Sequence, residues 1–246
     1  MLKRVTIMAA YGLFLFIASV GVVKATDIGV SPVRVELSDN QKMGAITLRN
    51  AGTEPVSMQL EVLNWSQAEG EDVLTPTREM LANPPIFTIP AGGSQLVRIG
   101  LRRAPDAKRE LTYRIILQEL PPPPSIGFNG TRMLMRVSIP VFVLPELTAK
   151  TMLRWQAELT STGALKISIT NSGNTHIQIG NLNLSLLGKS QPWISHQTSF
   201  YVLPGQSRDV ILPYNTESPT PPPGTTLQLI AQTDTGDIEA KVLIAP

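Results

Sequence analysis

The sequence predicts an all-β protein built from two β-sandwich domains. Three observations lead there. Short runs rich in Val, Ile, Leu and Thr, many alternating polar with apolar, recur along the whole chain. Clusters of Asn, Gly and Pro separate them, as at Asn50-Ala-Gly52 and Pro90-Ala-Gly-Gly93. No long segment carries the 3.6-residue periodicity of an amphipathic helix. About seven such runs in each half, at short and fairly regular spacing, fit one sandwich per half.

The first 25 residues read as a secretory signal. Lys3 and Arg4 form a basic start, Val5 to Val23 is apolar, and Val23-Lys24-Ala25 places small or apolar residues at a cleavage position. Residues 1–25 are therefore assigned to the signal, leaving 221 of the 246 residues, enough for two domains. The first half supplies strands over Ile28–Leu37, Gly44–Arg49, Val56–Trp65, Gln95–Leu101, Leu111–Leu120 and Met133–Leu144. The second supplies Ala164–Thr170, Ile177–Leu187, Ser199–Leu203, Arg208–Pro213, Thr226–Thr233 and Ile238–Ile244. Pro121–Pro124 and Pro221–Pro223 read as stiff connections, since proline donates no ladder hydrogen bond. The boundary is placed near Pro145, giving domains over 26–145 and 146–246.

The two halves echo each other. Ile46-Thr-Leu-Arg-Asn-Ala-Gly52 resembles Ile167-Ser-Ile-Thr-Asn-Ser-Gly173, and Phe87-Thr-Ile-Pro-Ala-Gly92 resembles Tyr201-Val-Leu-Pro-Gly205. In each half a strand ending in Asn-x-Gly precedes a proline-glycine corner.

Composition excludes several function classes. Lys3, Arg4 and Lys24 leave with the signal, so the mature chain keeps 18 of 21 basic residues against 19 acidic ones, a net charge of about −1. That gives no general attraction to nucleic acid or to anionic lipid. No later segment is long and apolar enough for membrane insertion once the signal is cleaved. Cysteine is absent, which removes disulfides and thiolate metal sites. The only histidines are His176, read as a surface residue at a strand start, and His196, read as a loop residue. Two isolated histidines offer little for a metal site or a proton relay, and no phosphate-cradling glycine motif or nucleophile elbow appears. An enzyme is not expected.

Leu111-Thr-Tyr-Arg-Ile-Ile-Leu-Gln-Glu-Leu-Pro-Pro122 resembles the aromatic-strand-Glu-aliphatic-Pro-Pro segment of periplasmic pilus chaperones. Val30-Ser-Pro-Val-Arg-Val-Glu-Leu37 resembles their first strand, and Ser138-Ile-Pro-Val-Phe-Val-Leu-Pro145 their domain-closing strand. Phe87-Thr-Ile-Pro-Ala-Gly92 followed by Leu96-Val-Arg-Ile99 also falls in the expected place, and the plain Val/Ile/Pro-rich closing strand looks like the archaic branch. The resemblance implies two immunoglobulin-like β-sandwich domains in a boomerang arrangement, located in the periplasm. It implies no cofactor and no ATP. The partners it implies are pilus subunits, which lack their last strand, and an outer-membrane usher that receives them.

The lent strand is expected around Met133, Met135, Val137 and Ile139, four apolar residues that period two places on one face. The same pattern also fits a strand that buries its face in its own core. Leu134 interrupts the polar side and is expected to pack into the chain's own domain. The resemblance further implies a pair of basic residues that grip the subunit's C-terminal carboxylate. Arg34 matches the first of them, and the lysine expected on the closing strand aligns with Pro140. Arg114, a cation inside an apolar strand, is the favoured substitute, with Arg136 the alternative. Glu119 matches a family glutamate, read as structural, and Asp234 an acidic residue of the second domain. The arginine that links the two in the family aligns with Leu144, which leaves the interdomain bridge without its cation.

The rival reading is an exported structural protein such as a pilus subunit or adhesin. The Asn-x-Ser/Thr triplets at Asn64, Asn129 and Asn183 fit an extracellular domain. The absence of cysteine and the two apparently complete sandwiches speak against it. From the signal alone, the mature protein is expected to start at Thr26 and to be released with the periplasmic fraction. N-terminal sequencing and intact mass check this, and an uncut N-terminus in membranes would contradict it.

Overall fold

The computed structural model describes residues 27–123, 133–189, 191–212 and 221–245, so the signal assigned to 1–25 lies outside the described residues. Those residues form seventeen strands and no helix. In the first half, β1 (Ile28–Ser31), β3 (Met43–Asn50), β8 (Ser94–Leu101) and β6 (Met80–Asn83) make a sheet in the order β1-β3-β8-β6. The facing sheet runs β2 (Val35–Leu37), β10 (Arg136–Val143), β9 (Leu111–Glu119), β4 (Val56–Ala68) and β5 (Glu71–Pro76), with β7 (Ile86–Ile89) also on β4. Alternate residues of both sheets meet in one core, including Val35, Ile46, Leu48, Met58, Val97, Ile99, Ile115, Leu117, Ile139 and Val141.

The second half repeats the plan. One sheet is β11 (Leu153–Leu159), β12 (Leu165–Asn171) and β15 (Ser207–Leu212); the other runs β14 (Ile194–Val202), β13 (Ile177–Leu186), β16 (Thr226–Thr233) and β17 (Gly236–Leu243). A bulge between Ile179 and Asn181 inserts one residue into β13. It changes the parity of the strand, so that Ile177 and Ile179 before it and Leu182 and Leu184 after it all enter the core.

The structure departs from the sequence pattern in four places. The Ile28–Leu37 run is two strands: β1 pairs antiparallel with β3, and β2 pairs parallel with β10 in the other sheet. Pro32 interrupts the ladder between them and leaves Val33 exposed. The closing strand begins at Arg136 rather than Met133, because its partner β9 ends at Glu119 and runs into prolines. Strand β14 begins at Ile194, earlier than Ser199, so His196 is on a strand and not in a loop. Strand β5 carries no signal in the sequence, since every residue of Glu71–Pro76 is exposed and no apolar alternation marks it.

The echo between the halves is a shared corner device. Asn50 and Asn171 are both fully buried. The Asn50 Nδ2 donates to the carbonyls of Glu54 (2.7 Å) and Ile89 (3.2 Å), while its Oδ1 accepts from the Gly52 N–H (3.0 Å). The Asn171 Nδ2 donates to Thr175 (2.8 Å) and Val202 (3.1 Å), and its Oδ1 accepts from Gly173 (2.9 Å). Each amide ties a strand end to the distant corner, where Gly92 (φ 67°) and Gly205 (φ 70°) take the left-handed conformation glycine tolerates best. Replacing either asparagine by alanine strands buried carbonyls. Asn50→Ala and Asn171→Ala are each expected to cost about 2–4 kcal/mol in urea denaturation. An unchanged midpoint would remove the amide from that role.

Candidate functional site: an open strand edge beside a charged domain interface

Strand β10 pairs with β9 from Arg136↔Gln118 to Val143↔Leu111, but with β2 only over Val141–Val143. The direction of its free backbone groups follows from two hydrogen bonds. The Met135 carbonyl accepts from Glu119 N–H (2.9 Å), which turns odd-numbered backbone groups toward β9. Leu144 N–H donates to the Leu37 carbonyl (2.9 Å), which turns even-numbered ones toward β2. Beyond β2, the N–H and C=O groups of Arg136 and Ser138 face a side where no described strand pairs. Pro140 sits at the junction, where its missing N–H removes no bond to β9.

The side chains grade along the same strand. Ile139 is 1% exposed in the first core, Val137 and Met135 are half-buried against it, and Met133 is 84% exposed. Of the four residues expected on one face, Ile139 therefore supports the edge from inside, and the apolar row opens toward Met133. Met133 and Met135 precede the strand proper, and Leu134 is exposed rather than packed into the domain. The Glu119 carboxylate holds the approach by accepting from Met135 N–H (3.0 Å), a structural role.

The opposite face of this sheet meets the second domain. Trp65, Phe142 and Leu203 are buried together, with Tyr201 packed on them. The Trp65 and Tyr201 rings meet edge-on at 5.4 Å. Gln67 ties the halves by donating to the Tyr201 carbonyl (2.9 Å) and accepting from Leu203 N–H (3.0 Å).

Arg114 lies in this cluster, its guanidinium 3.6 Å from the Trp65 ring centroid and 5.5 Å from that of Tyr201. Asp72 is 3.8 Å away. Burial lowers the Arg114 pKa, partly offset by Asp72, and a guanidinium remains charged even so. Arg114 is the direct register partner of Pro140. Arg136 is exposed, at the open end of β10 opposite Gln118.

Arg34 occupies the bend between β1 and β2. Its Nη1 donates to Asp234 Oδ2 (2.7 Å) and its Nη2 lies 3.1 Å from Glu36. Burial alone would lower its pKa, but the bond to Asp234 and the charge of Glu36 outweigh it and the net shift is upward. Arg34 thus supplies the interdomain bridge that Leu144 cannot. Tyr201 stands between the two arginines. Burial raises its hydroxyl pKa, and the charges of Arg34 and Arg114 act against that rise.

His176 is not the surface residue expected from sequence. It is buried, with its ring stacked on Phe142 at 3.4 Å. The Glu110 carboxylate, also buried, accepts from the His176 backbone N–H (2.8 Å) and lies 2.8 Å from its Nδ1. Nothing adjacent in sequence marks this pair, because the partners are 66 residues apart. No group of His, Cys, Asp and Glu among the described residues could hold a metal ion.

Comparison with known proteins agrees with this architecture. The chain aligns over 89% of its length, at 22% identity and a TM-score of 0.66, with all of a chain in the CsuC–CsuE chaperone–tip adhesion subunit pre-assembly complex from archaic Csu pili of Acinetobacter baumannii. The E. coli chaperone DraB aligns with 89% of this chain and 98% of its own, at 20% identity and a TM-score of 0.61. The Salmonella enterica SafA pilin–SafB chaperone complex aligns with 90% of this chain and 98% of its own, at 15% identity and a TM-score of 0.60. A search of curated protein sequences found no match. The family model for pili and flagellar-assembly chaperones, PapD N-terminal domain, matches residues 27–149. By that match, which spans half of the sequence, the chain belongs to the pili and flagellar-assembly chaperones, a family of non-enzymatic assembly factors.

Proposed function

We propose that this chain is a periplasmic chaperone that captures pilus subunits by lending them the open half of β10, then passes them to an outer-membrane usher. The observation that carries the reading is the half-paired edge itself. Backbone donors and acceptors at Arg136 and Ser138 face outward, beside an apolar row that emerges from the core through Val137, Met135 and Met133. A subunit lacking a strand would add its own backbone to that edge and cover the row, with main-chain bonds supplying affinity and alternate side chains the register. Signal residues 1–25 support the compartment. The sheets use residues up to Val143 and from Leu153 onward, which supports domains over 26–145 and 146–246. The partners named for the CsuC–CsuE and SafA–SafB complexes support a pilus subunit as the ligand, and the archaic source of the first fits the closing strand.

Arg34 and Arg114 are the proposed anchor for the subunit's terminal carboxylate. Arg114 stands level with Pro140, where a closing-strand cation is missing, and both arginines border Tyr201. Arg136 lies farther along the edge and plays no part in the anchor. The test is capture of a co-expressed fimbrial subunit. Arg34→Ala and Arg114→Ala are each expected to weaken the complex by about 2–5 kcal/mol with the free chaperone folded, and non-additively when combined. Arg136→Ala is expected to capture normally. Full capture by Arg114→Ala with loss in Arg136→Ala would move the anchor onto β10.

A second expectation concerns the edge. Met133→Asp with Met135→Asp places charges where an apolar groove would close, and is expected to abolish capture. A folded double variant that still protects the subunit from aggregation would refute the assignment of the lent strand.

A further inference from the structure

The domain interface holds a carboxylate with two claimants. Asp234 Oδ2 accepts from Arg34 Nη1 at 2.7 Å and lies 3.7 Å from His176 Nε2. Its other oxygen accepts from Gln178 N–H at 3.0 Å, so the carboxylate is fixed in place between the Arg34 guanidinium and the His176 ring. On the far side of the ring, Glu110 Oε2 accepts from the His176 backbone N–H and stands 2.8 Å from Nδ1. With Glu110 ionised, Nδ1 carries the ring proton, because two lone pairs would otherwise meet at that distance. In a neutral ring Nε2 is then bare and faces the Asp234 oxygen. That arrangement is tolerable while Arg34 neutralises the oxygen from the other side.

We propose that Arg34 and His176 share Asp234, so that a carboxylate ligand drawing Arg34 away is matched by protonation of His176. This rests on the proposed role of Arg34 as the anchor for a subunit's terminal carboxylate. Asp234 holds the Arg34 guanidinium as a ligand carboxylate would, and so acts as a resident stand-in for the ligand. When the ligand takes Arg34, the uncompensated Asp234 charge faces Nε2, and a proton taken from solvent restores neutrality as an Asp234–His176 ion pair. The domains stay linked throughout. Arg34 and Glu110 belong to the first half and Asp234 and His176 to the second, so the ionic link passes from Arg34–Asp234 to Glu110–His176. The other groups around the ring do not offer a competing proton. Phe142 covers one face, Tyr201 stands 5.6 Å away with its hydroxyl pKa raised, Glu36 is held by Arg34, and Arg114 lies on Trp65 and Tyr201. Because capture takes up a proton, the complex strengthens as pH falls through the range in which His176 titrates.

The chain has two histidines, so ring-nitrogen NMR of the mature protein follows each directly, with His196 as the internal reference. In Arg34→Ala and Arg34→Gln the His176 titration midpoint is expected to rise by about 0.5 pH unit or more, roughly threefold in proton affinity. In Asp234→Asn it is expected to fall, and in Arg34→Gln with Asp234→Asn the rise is expected to vanish, with His196 unmoved in all. A midpoint unaffected by the Arg34 changes, or a ring already protonated across the range in the unmodified chain, would overturn the proposal. In the co-expressed subunit complex the His176 midpoint is expected to rise as it does in Arg34→Gln. Capture that depends on Arg34 but leaves His176 unmoved would also overturn it. Full capture by Arg34→Ala would instead remove the anchor role, while the titrations of the free chain would still report whether Asp234 is shared.

Discussion

Strand β10 has to close the first sandwich while leaving half of its outer edge unpaired, and much of the surrounding structure follows from that constraint. It is bonded to β9 over its whole length but to β2 over three residues, Val35–Leu37. An exposed edge with free backbone groups invites uncontrolled pairing, so its placement needs to be fixed. Pro140 marks where the shared edge ends, and Glu119 caps the approach by binding Met135 N–H. Odd-numbered side chains anchor the strand inside the core through Ile139, Val141 and Val143. Even-numbered Phe142 reaches through the other face to the second domain. One short strand therefore belongs to the core, the domain interface and the candidate binding edge together.

The domain interface combines an aromatic cluster with ion pairs, and the two contribute differently. Trp65, Phe142, Tyr201 and Leu203 remove apolar surface from water, which supplies a non-directional attraction. The polar and charged groups that join them, Glu110, Asp234, Arg34 and His176, lose hydration on burial, and their mutual attraction repays this only where the geometry is good. Their contribution lies in orientation. Gln67, Glu110 and Asp234 each bond a backbone N–H of the second half, at Leu203, His176 and Gln178, which fixes how the two sandwiches meet or how the second is braced against Arg34. Arg114 is held by a ring face and a carboxylate 3.8 Å away, so its charge is positioned without being fully consumed.

With no disulfide to close the chain, each sandwich relies on its core and on a buried asparagine at a matching corner. Asn50 and Asn171 perform the same task, satisfying carbonyls on two separated segments and a nearby N–H with one side chain. A side chain carrying both donors and an acceptor suits such a corner, since no apolar residue of that size could pair these groups. The matched device explains why the Asn-x-Gly echo is visible in the sequence despite little other similarity between the halves.

The fold class is legible in the sequence, since alternation, β-branching and turn residues act locally and leave a local record. It also placed the closing strand, the corner asparagines and the motifs by which the family is read. What covers each face is set by the folded arrangement. Pro32 as a switch between sheets, the emergence of the apolar row at Val137, and the burial of His176 depend on strands distant in the chain. Arg34 stood out by its match to a family arginine and Arg114 as a cation in an apolar strand, but their environments did not. Arg34 meets Asp234 across 200 residues, and Arg114 meets the ring of Tyr201 from the other domain. Periodicity reports which way a side chain points, while its charge state and partners are set by whatever the fold brings opposite it.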